Sequence, residues 1–191
     1  MNDFTRKELI IFTSQSLKQY GPRAVRMDFI AQNMKISKRT LYETYGTKDN
    51  LINNCLMSYL DRTKNMFEIT KYSVSDPLKY LFDISKLYIK NLYKAERIFW
   101  LDITKYYPQI YQTMENIWTD ELEKSLLICK NKRLIIPDIE IKSYLQLFAR
   151  LVYNNRINHL PIDISYKSAF YIMRGILTIP GVMAMDSLDS N

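Results

Sequence analysis

Residues 36–51 read ISKRTLYETYGTKDNL, a stretch that contains the starts of two predicted helices. Ser37 is a residue type that commonly caps a helix N-terminus, and Thr47, immediately before Lys48, is another. Both helices therefore begin with cations, Lys38 and Arg39 in the first and Lys48 in the second. Because a helix N-terminus carries roughly half a positive charge, cations there are unfavourable unless an anion also binds.

Helical periodicity extends from this stretch along almost the whole chain of 191 residues. Only four Gly and six Pro are present, too few for the many tight turns of a β protein. The sequence predicts an all-α fold of about nine helices. Their expected positions are a first helix ending at Gly21-Pro22, Asp28–Met34, Lys38–Thr44, a helix from Lys48, a helix from Asp76-Pro77, Arg97–Lys105, Ile110–Lys132, Asp138–Asn155, and a last helix from Asp163 or Ser165 to Pro180-Gly181.

The positive charge of the chain is concentrated at its N-terminal end. The net charge is +7, and residues 1–50 contain nine Lys and Arg against five Asp and Glu, which gives +4. The other 141 residues contain eighteen against fifteen, or +3. A basic segment of this kind suits a polyanionic partner, although scattered surface lysines also serve solubility.

Cysteine use and hydropathy indicate a cytoplasmic protein that does not associate with membranes. Cys55 and Cys129 stand alone, without the C-x-x-C spacing of redox or metal sites, and no signal sequence is recognisable. No stretch reaches the eighteen or so apolar residues of a membrane-spanning helix.

Three short helices, with a four-residue turn between the second and third, have the layout of a helix-turn-helix unit. In such a unit the third helix enters the DNA major groove by its N-terminal end. Phosphates would then supply the anions that Lys38, Arg39 and Lys48 lack. The alternative is that these are solvated surface charges, which are tolerated when exposed. Their clustering in the most basic quarter of the chain favours DNA.

The segment VRMDFIAQNMKISKRTLYETYGTKDNLI, residues 25–52, also resembles the N-terminal domain of TetR-type transcriptional regulators. The shared residues are Ile30-Ala31, Ser37, Thr40-Leu41-Tyr42, Tyr45, Gly46-Thr47, Lys48 and Leu51-Ile52. The resemblance covers about the first 55 residues. It implies a DNA-binding domain over 1–48 and a helical ligand-binding and dimerisation domain over 49–191.

The resemblance implies a role for each matching DNA-binding position. Thr40 and Tyr42 would contact phosphates, Lys38 and Arg39 would face the groove, and Lys48 would hold the DNA backbone.

Two positions depart from the pattern of that family. The usual Thr or Ser before the second helix is replaced by Arg26, which is expected to contact a phosphate instead. The turn position commonly filled by Gly is Lys35, which would be strained if its φ is positive.

The sequence gives no support for an enzyme, a cofactor or a metal site. His159 is the only histidine, so it gives no metal cluster, and a nucleophilic triad would have to rest on it entirely. The four glycines form no phosphate-binding loop. The remaining alternative is a helical interaction module that binds another anionic surface, without reading a DNA sequence.

The last two predicted helices are apolar nearly all round, which requires cover on nearly all sides. One side would face the core and the other a second copy of the chain, and the resemblance implies the same four-helix interface. A monomer with two central helices is the alternative. The predicted interface residues are Leu145, Phe148, Val152, Ala169, Met173, Ile176 and Leu177.

The resemblance further implies a small-molecule effector that binds beyond about residue 50. Aromatic residues and Met on the middle helices could form an apolar pocket with a few polar tips, although ordinary core packing explains each residue separately. No charge pattern identifies the ligand, and a hydrophobic or aromatic compound is expected. The predicted lining residues are Tyr88, Phe99, Trp100, Tyr107, Tyr111, Met114, Trp118, Tyr144 and Phe148.

Overall fold

The structure is a computed structural model that describes residues 3–188, and the side chains of residues 5–187. The described residues form ten α-helices and no strand, which confirms the all-α prediction. The helices are α1 Asp3–Tyr20, α2 Met27–Asn33, α3 Lys38–Tyr45, α4 Lys48–Ser73, α5 Pro77–Tyr93, α6 Arg97–Tyr106, α7 Pro108–Asn131, α8 Ile141–Ile157, α9 Ile162–Arg174 and α10 Ile179–Leu188.

Capping residues fix the starts of three of these helices at the predicted positions. The Ser37 side chain accepts a hydrogen bond from the Thr40 backbone N–H, and Thr47 accepts one from Asn50 at the start of α4. The Asp76 carboxylate accepts from the backbone N–H of residue 79 at the start of α5. Each bond satisfies a backbone donor that has no partner within the helix.

The C-terminal region differs from the prediction in two places. Helix α8 begins at Ile141 rather than near Asp138, because the Glu140 carboxylate accepts hydrogen bonds from two N–H groups of the first turn. Pro180-Gly181 does not end the chain's helical part but lies in the first turn of α10, where a proline is tolerated. The Thr178 hydroxyl accepts a hydrogen bond from the Gly181 N–H and caps this tenth helix.

The chain divides into two compact units. The first comprises the residues up to Thr63 together with Lys94–Met114, and the second comprises Lys64–Tyr93 and the residues from Glu115 onwards. This division reflects packing, and the functional division at residue 48 stays a prediction. None of the helices within residues 3–188 combines the length and apolar character that crossing a bilayer requires.

The second unit is built around a cluster of aromatic side chains. Trp118 contacts Phe67 and Tyr88 edge to face, with ring centroids 5.0 and 5.7 Å apart. Phe148 lies against Tyr88 and is buried, as is Trp118. Helices α5, α8 and α9 pack together around this cluster. Each buried aromatic side chain removes a large apolar area from water, so this cluster contributes to the core of the unit.

In the first unit α6 packs against α1, close to the turn that leads into α2. Gly21 in this turn has φ +81°, and a Cβ there would lie 2.8 Å from Oδ2 of Asp102 on α6. Glycine is therefore required for two reasons: the backbone conformation is left-handed, and the carboxylate occupies the space of a side chain.

We expect Gly21→Ala to lower the free energy of unfolding by about 1–3 kcal/mol, because alanine is strained at this φ and displaces Asp102. Gly175→Ala is the matched control, since Gly175 has φ −66° and only ordinary contacts around its Cβ position. It should change stability by no more than about 1 kcal/mol. Urea denaturation followed by tryptophan fluorescence measures both, and equal losses would contradict the argument.

Candidate nucleic-acid interface

The turn between α2 and α3 holds the two helices in a fixed arrangement. Ile30 and Ala31 of α2 and Leu41 of α3 are buried between them. Lys35 in the turn has φ 52°, which confirms the left-handed conformation considered for it from the sequence. A small core and a constrained turn together leave the other side of α3 exposed.

Hydroxyl groups cap the first turn of α3. The Ser37 Oγ accepts from the Thr40 N–H at 2.9 Å and lies 2.7 Å from the Thr40 Oγ1. Tyr42, two residues further on, is exposed over about two fifths of its surface. Thr40 and Tyr42, the two residues expected to contact phosphates, thus lie on the first and second turns of one short helix.

The two cations at the start of α3 are each paired with a carboxylate of the same chain. The Lys38 Nζ lies 2.7 Å from Asp28 on α2, and the Arg39 Nε lies 2.7 Å from Glu43 one turn along α3. The hydrogen bond to Asp28 raises the pKa of Lys38. All four side chains are more than half exposed, and exposed ion pairs of this kind contribute only about 0–1 kcal/mol.

Lys48, predicted to hold the DNA backbone, also has a hydrogen-bond partner within the chain. Its ammonium donates a hydrogen bond to the Pro22 carbonyl and so joins the start of α4 to the turn after α1. Burial lowers its pKa, while Asp49 and Asp102 oppose this effect. Since an ammonium carries three donors, the bond to Pro22 leaves capacity for a phosphate.

Arg26 occupies the N-cap position of α2 and makes no side-chain capping hydrogen bond. Its side chain is exposed, as the departure from the family pattern suggested. The N-terminus of α2 consequently keeps backbone donors that an external anion could satisfy.

Two residues of the α6 region connect this interface to the rest of the first unit, and sequence reasoning missed both roles. The buried Asp102 carboxylate accepts a hydrogen bond from the Arg23 backbone N–H at 2.9 Å. The Tyr107 hydroxyl donates to Asp49 Oδ1 at 3.1 Å. Burial, and then the Asp49 carboxylate, raise the pKa of Tyr107 to about 12. The signal that could have indicated Asp102 is weak, an acidic residue on the apolar face of a short helix.

The backbone course of α1 to α10 is similar to that of several solved structures. The fatty acid degradation regulator FadR from Bacillus halodurans superposes with a TM-score of 0.73 at 13% identity, covering 92% of this chain and 97% of that one. A TetR-family regulator from Cytophaga hutchinsonii gives 0.70 at 12% identity, covering 92% and 96%. A TetR-family regulator from Streptomyces coelicolor gives 0.70 at 13%, covering 90% and 93%.

The chain has the fold of TetR-family transcriptional regulators. The expectation from residues 25–52 is thereby confirmed for the fold, and it extends to nearly the whole chain. No protein-family model and no curated protein sequence matches the chain.

Within this TetR-type fold the nine predicted effector-binding residues fall in different units. Tyr88, Trp118, Tyr144 and Phe148 belong to the aromatic cluster of the second unit and contact one another there. Tyr144 is buried, and its hydroxyl has no hydrogen-bond partner among the described residues, a costly arrangement for a polar group. The first unit contains the other five residues, Phe99, Trp100, Tyr107, Tyr111 and Met114.

The first unit also contains an apolar pocket between α1, α4, α6 and the start of α7, with a volume of about 40 Å³. Phe99 and Met114 are the two predicted effector-binding residues that line it. We call it the α1–α6 pocket. Its other walls include Leu17, Ile52, Leu56 and Ile103, and its charged lining residues are Lys18 and Arg62.

The predicted dimer-interface residues are buried within a single chain. All seven are at most 8% exposed in the second unit, so these side chains have little surface to offer a partner. The same helices expose other apolar residues, Leu147 on α8 and Tyr171 on α9. The sequence pattern could not separate the two sides, because both sides of these helices are apolar. The seven predicted residues are Leu145, Phe148, Val152, Ala169, Met173, Ile176 and Leu177.

Within the residues that the structure describes, no three side chains of the His, Cys, Asp or Glu type come together as metal ligands.

We expect Asp102→Ala to destabilise the protein by about 1–3 kcal/mol, because the Arg23 N–H would lose its buried acceptor. Amide hydrogen exchange at Arg23 should become faster in this variant. Tyr107→Phe removes only an exposed hydrogen bond and should change stability by about 1 kcal/mol or less. Unchanged protection at Arg23 in Asp102→Ala would contradict the role given to this carboxylate.

Proposed function

We propose that the chain is a transcriptional regulator, a repressor that binds a near-palindromic DNA operator as a homodimer and is released by a small-molecule effector. Residues 1–48 would read DNA, and residues 49–191 would bind the effector and form the dimer. The observation that carries the proposal is the exposed N-terminal turn of α3, which presents Lys38 and Arg39 and contains no acidic residue. The TetR-type fold supports it. A cytoplasmic, non-enzymatic protein without cofactors fits this role.

Electrostatics explain how the interface would work. In the free protein Asp28 and Glu43 partly neutralise the cations at the start of α3. Because these pairs are exposed and weak, a DNA phosphate could replace a carboxylate as the partner. The phosphate would also interact favourably with the positive end of α3. Binding would therefore depend strongly on salt concentration.

The roles of individual residues follow from their positions. Arg39 extends from an exposed face of α3 and is proposed to contact a base, since a bidentate bond to guanine is the commonest specific contact of Arg. Lys38, Thr40 and Tyr42 would position α3, with Thr40 and Tyr42 on phosphates. Lys48 and Arg26 would hold the DNA backbone beside the ends of α4 and α2.

The dimer is proposed on the exposed apolar side chains of α8 and α9. Leu147 is 59% exposed and Tyr171 is 66% exposed, on helices that pack against each other in the second unit. A contiguous exposed apolar patch commonly marks an interface, and the two helices would supply such a patch. Two reading helices related by a twofold axis would contact half-sites about 34–36 Å apart or a multiple of this distance.

A helical module that binds another anionic surface is the alternative function. Such a module would use a basic amphipathic helix with bulky apolar residues opposite its charges. The cations considered above instead lie at the first turns of α3 and α4, behind N-caps. Sequence-selective DNA binding would distinguish the two functions, because an anionic surface carries no base sequence.

We expect Arg39→Ala to change which DNA sequences are preferred, at a loss of about 1–3 kcal/mol on the cognate site. Lys48→Ala should weaken binding to all sequences alike and reduce the salt dependence. Lys64→Ala, an exposed lysine further along α4, is the charge-matched control. Binding to cognate and random duplexes at several salt concentrations measures these effects. If Arg39→Ala weakened both duplexes equally, Arg39 would not be a reading residue.

We expect Glu43→Gln to strengthen DNA binding about two- to fivefold, because it frees Arg39 from its ion pair and removes a negative charge near the phosphates. Glu123→Gln, on α7 in the second unit, is the control that removes the same charge far from α3 in sequence. Titration of operator DNA at low salt measures both. An equal gain in the two variants would mean that only net charge matters.

We expect Leu147→Glu or Tyr171→Glu to give a sedimentation mass of one chain, where the wild type gives two. A charge placed in an apolar interface loses its water without gaining a partner. Tyr72→Glu is the control, because Tyr72 is 88% exposed on α4 and lies outside the proposed interface. A wild-type chain that sediments as a monomer at micromolar concentration would contradict the dimer.

A further inference from the structure

The α1–α6 pocket combines apolar walls with cations that have no acidic partner. Its described lining residues include Lys18 and Arg62 but no Asp or Glu. Arg62 donates through Nε to the Ser58 carbonyl, and no carboxylate pairs with either cation in the part of the chain that the structure describes. A lysine that is partly buried among apolar groups is normally paired, so this one is unusual.

The environment of Lys18 is unfavourable for its charge. Burial lowers its pKa, and the positive charges of Arg62 and Lys94 lower it further. Lys18 and Arg62, which both line the pocket, therefore repel each other, and an anion placed between them would relieve this repulsion.

The rest of the pocket suits a hydrocarbon group. Leu17, Phe99, Ile103 and Met114 form its walls, and all four are buried. Ligand sites of this type are mostly apolar, with a few charged or polar groups that orient the ligand. Apolar walls with a cationic end match a molecule that has a hydrocarbon part and one anionic group.

We propose that the α1–α6 pocket binds a small amphiphile with one anionic head group, held by Lys18 and Arg62, and an apolar tail among Leu17, Phe99 and Met114. As an effector site the proposal rests on the regulatory function proposed above, and it extends effector binding from residues 49–191 to the end of α1. As a binding site it stands on the pocket and its cations alone.

The size of the pocket gives binding a mechanical consequence. A volume of about 40 Å³ holds about three water molecules by the usual measure of roughly 10–15 Å³ each, so a tail of several carbons must widen it. Widening separates α1 from α6 within the first unit. The links between these parts are the hydrogen bond from the Glu96 N–H to the Lys18 carbonyl, at 2.8 Å, and the bond from Arg23 to Asp102. A bound tail would therefore disturb the turn that precedes α2.

Octanoate is a suitable probe, with 1-octanol and octyltrimethylammonium as controls of equal chain length. We expect octanoate to bind at least tenfold more tightly than either, as measured by isothermal titration calorimetry without DNA. Lys18→Met, which keeps most of the side-chain stem, should weaken octanoate binding about tenfold and leave 1-octanol binding unchanged. Lys64→Met is the matched control and should change neither. Equal affinity for octanoate and 1-octanol, or equal effects of the two variants, would overturn the proposal.

Cys55 gives a second measurement that does not depend on a charge variant. Its thiol lines the pocket, and burial raises its pKa to about 11, so it should react slowly with methyl methanethiosulfonate. The chain has one other cysteine, Cys129, and the Cys129→Ala variant makes the reaction specific to Cys55. Saturating octanoate should slow the reaction several-fold, while octyltrimethylammonium should not. An unchanged or faster rate with octanoate would place the ligand elsewhere.

Different experiments test the pocket ligand and the regulatory function. Octanoate binding and Cys55 protection are measured without DNA, so they hold or fail whatever the DNA-binding result. A chain that binds octanoate at this pocket but has no sequence preference for DNA would contradict the regulatory function alone. As an effector, octanoate should weaken operator binding in the wild type and have about a tenfold smaller effect at equal concentration in Lys18→Met.

Discussion

The contact between Asp102 and the turn after α1 is the constraint on which the first unit depends. A buried carboxylate needs hydrogen-bond donors, and the Arg23 N–H supplies one at 2.9 Å. This approach is possible because residue 21 has no side chain, since a Cβ would lie 2.8 Å from the same carboxylate oxygen. Lys48 binds the Pro22 carbonyl of the same turn. The segment between α1 and α2 is thus fixed from α6 and from α4, and the position of α3 follows through its packing on α2.

The charges of the proposed DNA-binding surface are balanced locally rather than left free. Lys38 and Arg39 would be unfavourable at a positive helix end, and Asp28 and Glu43 offset this while no other anion is bound. Such weak exposed pairs stabilise the free protein little and can be exchanged for phosphates. The α1–α6 pocket contrasts with this surface, because its cations Lys18 and Arg62 have no acidic partner among the described residues.

The second unit shows why apolar character alone does not reveal an interface. Its aromatic residues Trp118, Tyr88 and Phe148 pack against one another in a shared core. The apolar residues of α8 and α9 divide between that core and the surface, with Val152 fully covered and Leu147 mostly exposed. Residues of both kinds have similar hydrophobicity, so their roles are separated by the packing partners and not by their chemistry.

The sequence by itself determined the local features. Ser37, Thr47 and Asp76 cap helices where their side chains predict, because capping involves only neighbouring residues. The all-α class and the helix-turn-helix layout follow in the same way from short-range periodicity and from a pattern of residues at fixed spacing. Only the tertiary structure decided that Asp102 reaches Arg23, 79 residues away, and that Lys48 bonds Pro22. It also decided which sides of α8 and α9 are buried and where a pocket remains. These properties depend on groups distant in the chain coming together, and neither helix propensity nor residue spacing contains that information.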